Sequence, residues 1–69
     1  MNETLIGRTT RQITFGYIHP VTKVVTSFAR KAAGTEVYVE RMRKDGTWDI
    51  RIPGTLYTQN VYPASVESF

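Results

Sequence analysis

Residues 35–52 have the sequence TEVYVERMRKDGTWDIRI, and this stretch carries the strongest local signal in the chain. Val37 and Val39 alternate with polar residues, which is the period of a strand with one buried face. Asp45-Gly46 follows and supplies the positive φ angles that a tight hairpin turn needs. Apolar and polar residues alternate again after the turn. The stretch therefore predicts an antiparallel β-hairpin.

Pairing across a tight Asp-Gly turn gives this hairpin a specific register. The predicted pairs are Arg43–Trp48, Arg41–Ile50 and Val39–Ile52 on one face, and Glu40–Arg51 and Met42–Asp49 on the other. One face is then apolar toward its far end, and the other face holds an opposite-charge pair.

A second hairpin is predicted from residues 12–18 and 23–29, which His19-Pro20 separates. Proline lacks an amide donor and fixes its own φ, so it indicates a turn. The predicted pairs are Ile18–Lys23, Tyr17–Val24, Phe15–Thr26 and Ile13–Phe28. In this register the large apolar side chains gather on one face, and Phe28 becomes a core residue.

The later of these two segments also fits a short helix over residues 26–33, which would make the fold α+β. The residues at helical spacing are Val24, Val25, Phe28, Ala29 and Ala32. Gly34 is a natural C-terminal stop for such a helix. The β-branched run of residues 24–26 favours a strand, and a strand is the prediction adopted.

The two ends of the chain carry weaker patterns. Residues 1–11 are mostly polar and are predicted to form an N-terminal arm or a short strand. Residues 55–60 are predicted to be a loop or short strand, and a turn at Pro63 precedes a final short strand. Together these elements predict one all-β domain over residues 1–69, either a small five-stranded barrel or a bent antiparallel sheet.

The C-terminal third contains a spaced set of residues: Trp48 after a turn, Val61 and Pro63 at a second turn, and Val66-Glu67 in a terminal strand. This set resembles the closing half of a Src-homology-3-like β-barrel. The resemblance covers about a third of the chain and implies a barrel architecture.

The chain departs from that family at two points. Its N-terminal half lacks the alanine-leucine-tyrosine-type motif with which Src-homology-3 domains open. Ser65 stands where they carry a tyrosine just before the last valine. Both missing features build the proline-peptide groove, so the resemblance implies the architecture without the peptide recognition.

The chain has 69 residues and no cysteine, so packing and not disulfides or thiolate zinc sites must hold it together. The aromatic residues expected in the core are Phe15, Tyr17, Phe28, Trp48, Tyr57 and Tyr62. His19 is the only histidine, and no partner for it is identifiable by spacing. Asp45 and Asp49 alone are too weak a signal for a metal site. The sequence therefore predicts a non-enzyme without catalytic residues, metal ligands or cofactors.

A net charge of +3 and an isoelectric point of about 9.6 indicate an acidic partner such as nucleic acid. The predicted nucleic-acid-binding residues are Arg30, Lys31, Arg41, Arg43, Lys44, Trp48 and Arg51. The cations would pair with phosphates, and an unpaired base could stack on the indole. In the alternative interpretation, Arg43 covers Trp48 as a cation–π lid and the charges only solvate the hairpin tip.

A protein partner is the alternative to nucleic acid. Tyr17, Tyr57 and Tyr62 could join Trp48 in an aromatic groove, which would suit a protein-interaction module such as a small inhibitor or adaptor of a mobile element. An unpaired edge strand would favour a homo-oligomer. No apolar run reaches the roughly 20 residues of a membrane span, and the N-terminus lacks a secretory pattern. A cytoplasmic protein without a membrane partner is therefore expected.

Overall fold

The computed structural model describes residues 5–68, so the first residues of the predicted arm lie outside the described part. The chain forms seven strands: β1 (Leu5–Thr9), β2 (Ile13–Ile18), β3 (Val25–Lys31), β4 (Glu36–Met42), β5 (Trp48–Arg51), β6 (Tyr57–Val61) and β7 (Val66–Ser68). A short 3₁₀ turn, Pro63–Ser65, precedes β7. The strands join one antiparallel sheet in the order β3-β2-β6-β5-β4-β1-β7, and this sheet does not close.

The all-β fold with a bent antiparallel sheet is confirmed. The sheet has seven strands and not five, because the two ends of the chain form β1 and β7, which pair with each other, while β1 also pairs with β4. The helix considered over residues 26–33 is wrong, since β3 occupies most of that range. Among the described residues, no helix is long and apolar enough to cross a membrane.

One apolar cluster holds the inner side of the sheet together. Its buried residues are Ile13, Phe15, Val37, Val39, Ile50, Val61 and Val66. The half-buried residues that pack against it are Trp48, Ile52 and Tyr57. Two aromatic residues expected in the core are not there: Phe28 is 72% exposed and Tyr62 is 70% exposed. Aromatic size alone therefore did not identify the core.

Because side chains alternate along a strand, the residues between the core positions form a second surface, which we call the outer face. Its residues are Thr14, Gly16, Ile18, Phe28, Arg30, Tyr38, Arg41, Asp49, Arg51, Thr58 and Asn60. β3 lies at one edge of the sheet and pairs with β2 alone. Apart from the half-buried Ala29, every residue of β3 is exposed.

The β2–β3 hairpin is present, but its predicted register is wrong. Phe15 lies opposite Ala29 and Gly16 lies opposite Phe28, whereas the sequence pattern placed Phe28 opposite Ile13. The shift moves Phe28 to the other face of the sheet. Phe28 is therefore an outer-face residue and not a core residue.

A longer turn than expected and a bulge in the ladder together cause this shift. His19 donates its backbone N–H to the carbonyl of Val24 at 3.0 Å, and Lys23 donates its own to the carbonyl of His19 at 2.9 Å. The His19 ring Nδ1 accepts the backbone N–H of Val21 at 3.2 Å and that of Thr22 at 3.3 Å. Residues 19–24 are thus bound to one another, and the ladder begins at the Ile18–Val25 pair, two residues later than predicted. A bulge between Tyr17 and Ile18 then shifts the register by one more residue, and this odd shift moves Phe28 to the outer face.

The β4–β5 hairpin is confirmed, and its register also differs from the prediction. The observed pairs are Tyr38–Arg51, Val39–Ile50, Arg41–Asp49 and Met42–Trp48. The backbone N–H of Arg43 donates to the carbonyl of Thr47 at 2.8 Å, and the carbonyl of Arg43 accepts the backbone N–H of Gly46 at 3.0 Å. The loop between Arg43 and Thr47 therefore has three residues, not two. A bulge between Val39 and Arg41 shifts the register further. Arg43 and Trp48 are therefore not cross-strand partners.

Candidate nucleic-acid interface

Arg30 and Arg41 lie on one transverse row of the outer face. Arg30 pairs with Thr14 on β2, and Arg41 pairs with Asp49, which pairs with Asn60 on β6. β2 and β6 pair only at Gly16–Thr58 and Tyr17–Tyr57, and Thr14 and Asn60 lie two residues beyond that pairing on either side of a gap between the strands. Four strand intervals of at least about 4.8 Å separate the two arginines by roughly 19 Å or more along the sheet. Both arginines are therefore exposed on the same face of the sheet, on opposite sides of β6.

Arg43 is occupied by a carboxylate of its own hairpin. Its Nε donates to the two oxygens of Asp49 at 3.0 Å and 2.9 Å, and its Nη2 lies 2.9 Å from Oδ2. These hydrogen bonds hold the pKa of Asp49 below its ordinary value, while partial burial opposes the shift. The side-chain amide of Asn60 also donates to Asp49, at 2.9 Å. Arg43 therefore presents little free charge to a ligand.

Arg51 is likewise engaged within the fold. Its Nε forms an ion pair with Glu40, which is the opposite-charge contact that the sequence pattern anticipated on this face. Its Nη1 donates to the carbonyl of Thr55 at 3.1 Å, and its Cζ lies 5.4 Å from the centroid of the Tyr38 ring. Three contacts fix this guanidinium against the sheet.

Trp48 lies on the inner side of the sheet, where it packs half-buried against the core. Its cross-strand partner is Met42. The three tyrosines of the predicted aromatic groove do not form one cluster. Tyr17 and Tyr57 meet edge to face with ring centroids 5.5 Å apart, whereas Tyr62 is exposed. Trp48 therefore does not share a face with Arg30 and Arg41.

Four of the basic residues selected from the sequence have no ion pair among residues 5–68: Arg30, Lys31, Arg41 and Lys44. All four are exposed. Lys31 ends the edge strand β3, and Lys44 lies in the β4–β5 loop. Positive charge that can reach a ligand is thus concentrated at the end of β3 and at the β4–β5 tip.

A shallow groove of about 280 Å³ lies on the outer face between β3 and β5. Its apolar side consists of Ile18, Val25 and Phe28, and its polar side of Asp49, Thr58, Gln59 and Asn60. Gly16 forms the floor: a Cβ there would lie 3.0 Å from Val25 Cγ1 and 3.7 Å from Phe28 Cε1. The bare backbone of this glycine lets both side chains lie across β2.

Phe28 is the surface residue that reasoning from the sequence missed. The predicted register placed it in the core, so its ring was not considered for binding. Gly16 was the available signal, because a glycine inside a strand often marks a close approach of another group. In the structure that group is the pair of side chains from β3.

Among the described residues, no group of three histidine, aspartate or glutamate side chains is placed to hold a metal ion. His19 uses its ring nitrogen to bind the backbone of its own turn. This contact gives the histidine a structural role in the β2–β3 connection.

Comparison of the chain with protein-family models, with curated proteins and with solved structures gave no match. The Src-homology-3-like resemblance of residues 45–67 stays a prediction. Function is therefore inferred from the geometry and charge of the chain itself.

Proposed function

We propose that this chain is a small non-catalytic module that binds nucleic acid through its outer face. The observation that carries the proposal is the placement of Arg30 and Arg41 on one row of that face, each without an ion pair. Lys44 adds positive charge in the β4–β5 loop beyond Arg41, whereas Lys31, the partner of Ile13, lies on the other side of the edge strand. Phosphates that replace counterions on these side chains would supply the binding free energy.

This mode of binding has a measurable signature in its salt dependence. Three phosphate contacts to a single strand, from Arg30, Arg41 and Lys44, give a slope of about −2 for log K against log salt concentration. Binding of a fluorescently labelled oligonucleotide is measured by anisotropy at about 50 mM and about 200 mM salt. Arg30→Gln and Arg41→Gln should each weaken binding and reduce the slope by about 0.7.

Lys23→Gln is the matched control. It also removes one exposed positive charge, but Lys23 lies in the turn at the opposite end of the β2–β3 hairpin from Arg30. Its slope should equal that of the wild type. Absence of binding at the lower salt concentration would overturn the proposal. Equal slopes for the wild type, Arg30→Gln and Arg41→Gln would overturn it too.

A protein-interaction module is the second candidate, and the edge strand β3 favours it. The outer edge of β3 has no partner among the described residues, and Val24 and Val25 are 57% and 45% exposed beside it. A partner could extend the sheet by adding a strand to such an edge. Binding of that kind would change little with salt, so the same titration separates the two candidates.

A further inference from the structure

We infer that the groove over Gly16 receives one unpaired base stacked on Phe28, so that the protein prefers single-stranded nucleic acid to duplex. This inference rests on the proposed function. It assigns a second component of binding to the same face: the arginines contact the backbone, and the groove contacts a base.

The exposure of Phe28 is the first observation behind this assignment. Its side chain is 72% exposed although it belongs to a strand, and Ile18 and Val25 beside it are 37% and 45% exposed. Large exposed apolar groups that are contiguous commonly mark a binding surface. The Phe28 ring is open to solvent, so a flat ring system can stack on it without any rearrangement of the core.

The charge around the groove favours a nucleotide over an apolar peptide. Arg30 follows Phe28 by two residues on the same face of β3, which separates the two Cα atoms by about 7 Å. A base on Phe28 therefore places its own phosphate within reach of the Arg30 guanidinium. On the polar side, Thr58 offers a hydroxyl to the edge of the base, and Asn60 offers its carbonyl oxygen, because its amide nitrogen already donates to Thr47 and Asp49.

The dimensions of the groove favour a single base over a double helix. Its volume of about 280 Å³ suits one planar ring system. In a duplex both faces of every internal base are already stacked, so the Phe28 ring could reach one only after unstacking. Single strands present free base faces, and aromatic side chains bind them with little sequence preference.

The test uses three labelled probes: an oligothymidylate of about 12 nucleotides, an abasic strand of equal length, and a duplex. The abasic strand keeps the phosphates and lacks the bases. The wild type should bind the oligothymidylate roughly 5- to 150-fold more tightly than the abasic strand. Phe28→Ala should abolish this difference and leave the salt slope unchanged, whereas Phe28→Trp should preserve the difference.

The outcomes separate this inference from the proposed function. Equal affinity of the wild type for the oligothymidylate and the abasic strand, with a steep salt slope, overturns base stacking and leaves phosphate binding intact. If Phe28→Ala keeps the wild-type preference for the oligothymidylate over the abasic strand, base stacking on Phe28 is likewise overturned and phosphate binding is left intact. Failure of all three probes to bind overturns both proposals. A thermal melt of Phe28→Ala checks that the variant is folded, which its exposed position leads us to expect.

Discussion

The two hairpins of this protein use similar residues for different purposes. β4–β5 turns its tryptophan toward the core and neutralises Arg43 with Asp49. β2–β3 leaves Phe28 in solvent and Arg30 without an ion pair. The hairpin with the clearer sequence pattern therefore serves mainly the fold, and the hairpin with the ambiguous pattern supplies most of the candidate surface.

The largest expected difference between the hairpins concerns two phenylalanines. Phe15 has no exposed surface, so Phe15→Ala should lower the free energy of unfolding by about 3–5 kcal/mol. Phe28 is 72% exposed, and Phe28→Ala should lower it by less than about 1 kcal/mol. Denaturant titration followed by the fluorescence of Trp48 measures both. If Phe15→Ala does not fold, Phe15→Leu replaces it and should still cost more than Phe28→Ala.

A loss of stability in Phe28→Ala as large as that in Phe15→Ala would contradict the observed register. It would return Phe28 to the core position that the sequence pattern gave it. The experiment therefore tests the assignment of faces in β2–β3 directly.

The sequence was sufficient for the strand content and for both hairpins, because these depend on local alternation and on turn residues. It was not sufficient for register, because one additional residue in a turn moves every side chain to the other face. In β2–β3 the turn is longer by two residues, through the contacts of the His19 ring and a positive φ at Lys23, and the odd residue that changes the face is a bulge between Tyr17 and Ile18. None of these features has a sequence signature.

The candidate site was only partly predictable for a related reason. Arg30 and Arg41 were selected for their charge, but their alignment on one row depends on β6 lying between β2 and β5. Pairing between strands so distant in the chain leaves no local pattern. The capture of Arg43 by Asp49 depends on the three-residue loop, which the Asp-Gly dipeptide alone did not distinguish from a two-residue turn.

A smaller contrast lies in the two turns. Gly46 has a φ of 88° in the β4–β5 loop, whereas Lys23 has a φ of 61° in the β2–β3 turn. A left-handed backbone conformation costs a residue with a Cβ about 1–2 kcal/mol. Glycine avoids this strain, but it lowers the stability of the protein by roughly 0.4–1 kcal/mol, because it gives the unfolded chain more conformational entropy. Gly46→Ala should therefore destabilise the protein by about 0.5–1 kcal/mol, and Lys23→Gly should stabilise it by a similar amount.

Denaturant midpoints at constant m-value measure both turn variants. Destabilisation by Lys23→Gly would show that contacts of the lysine side chain outweigh its backbone strain. A neutral Gly46→Ala would show that the β4–β5 loop tolerates another conformation at that position.

The smallest expected effect is the pH dependence of the Arg43–Asp49 contact. Hydrogen bonds from Arg43 lower the pKa of Asp49 in the folded state. A carboxylate with a lowered folded pKa stabilises the protein above its unfolded pKa of about 3.9, and this contribution disappears as the pH falls through the folded value. Asp49→Asn should therefore melt at a lower temperature than the wild type at about pH 7, and the difference should shrink as the pH falls below about 3.9.

Arg30→Gln is the control for this last effect, because Arg30 is exposed and forms no ion pair among residues 5–68. It should melt like the wild type at neutral pH. β2–β3 has no ion pair of its own, so Arg30→Gln should show no corresponding pH-dependent difference. A difference between Asp49→Asn and the wild type that does not shrink as the pH falls below about 3.9 would mean that Asp49 acts through neutral hydrogen bonds, such as the one from Asn60 at 2.9 Å, and not through the charge of Arg43.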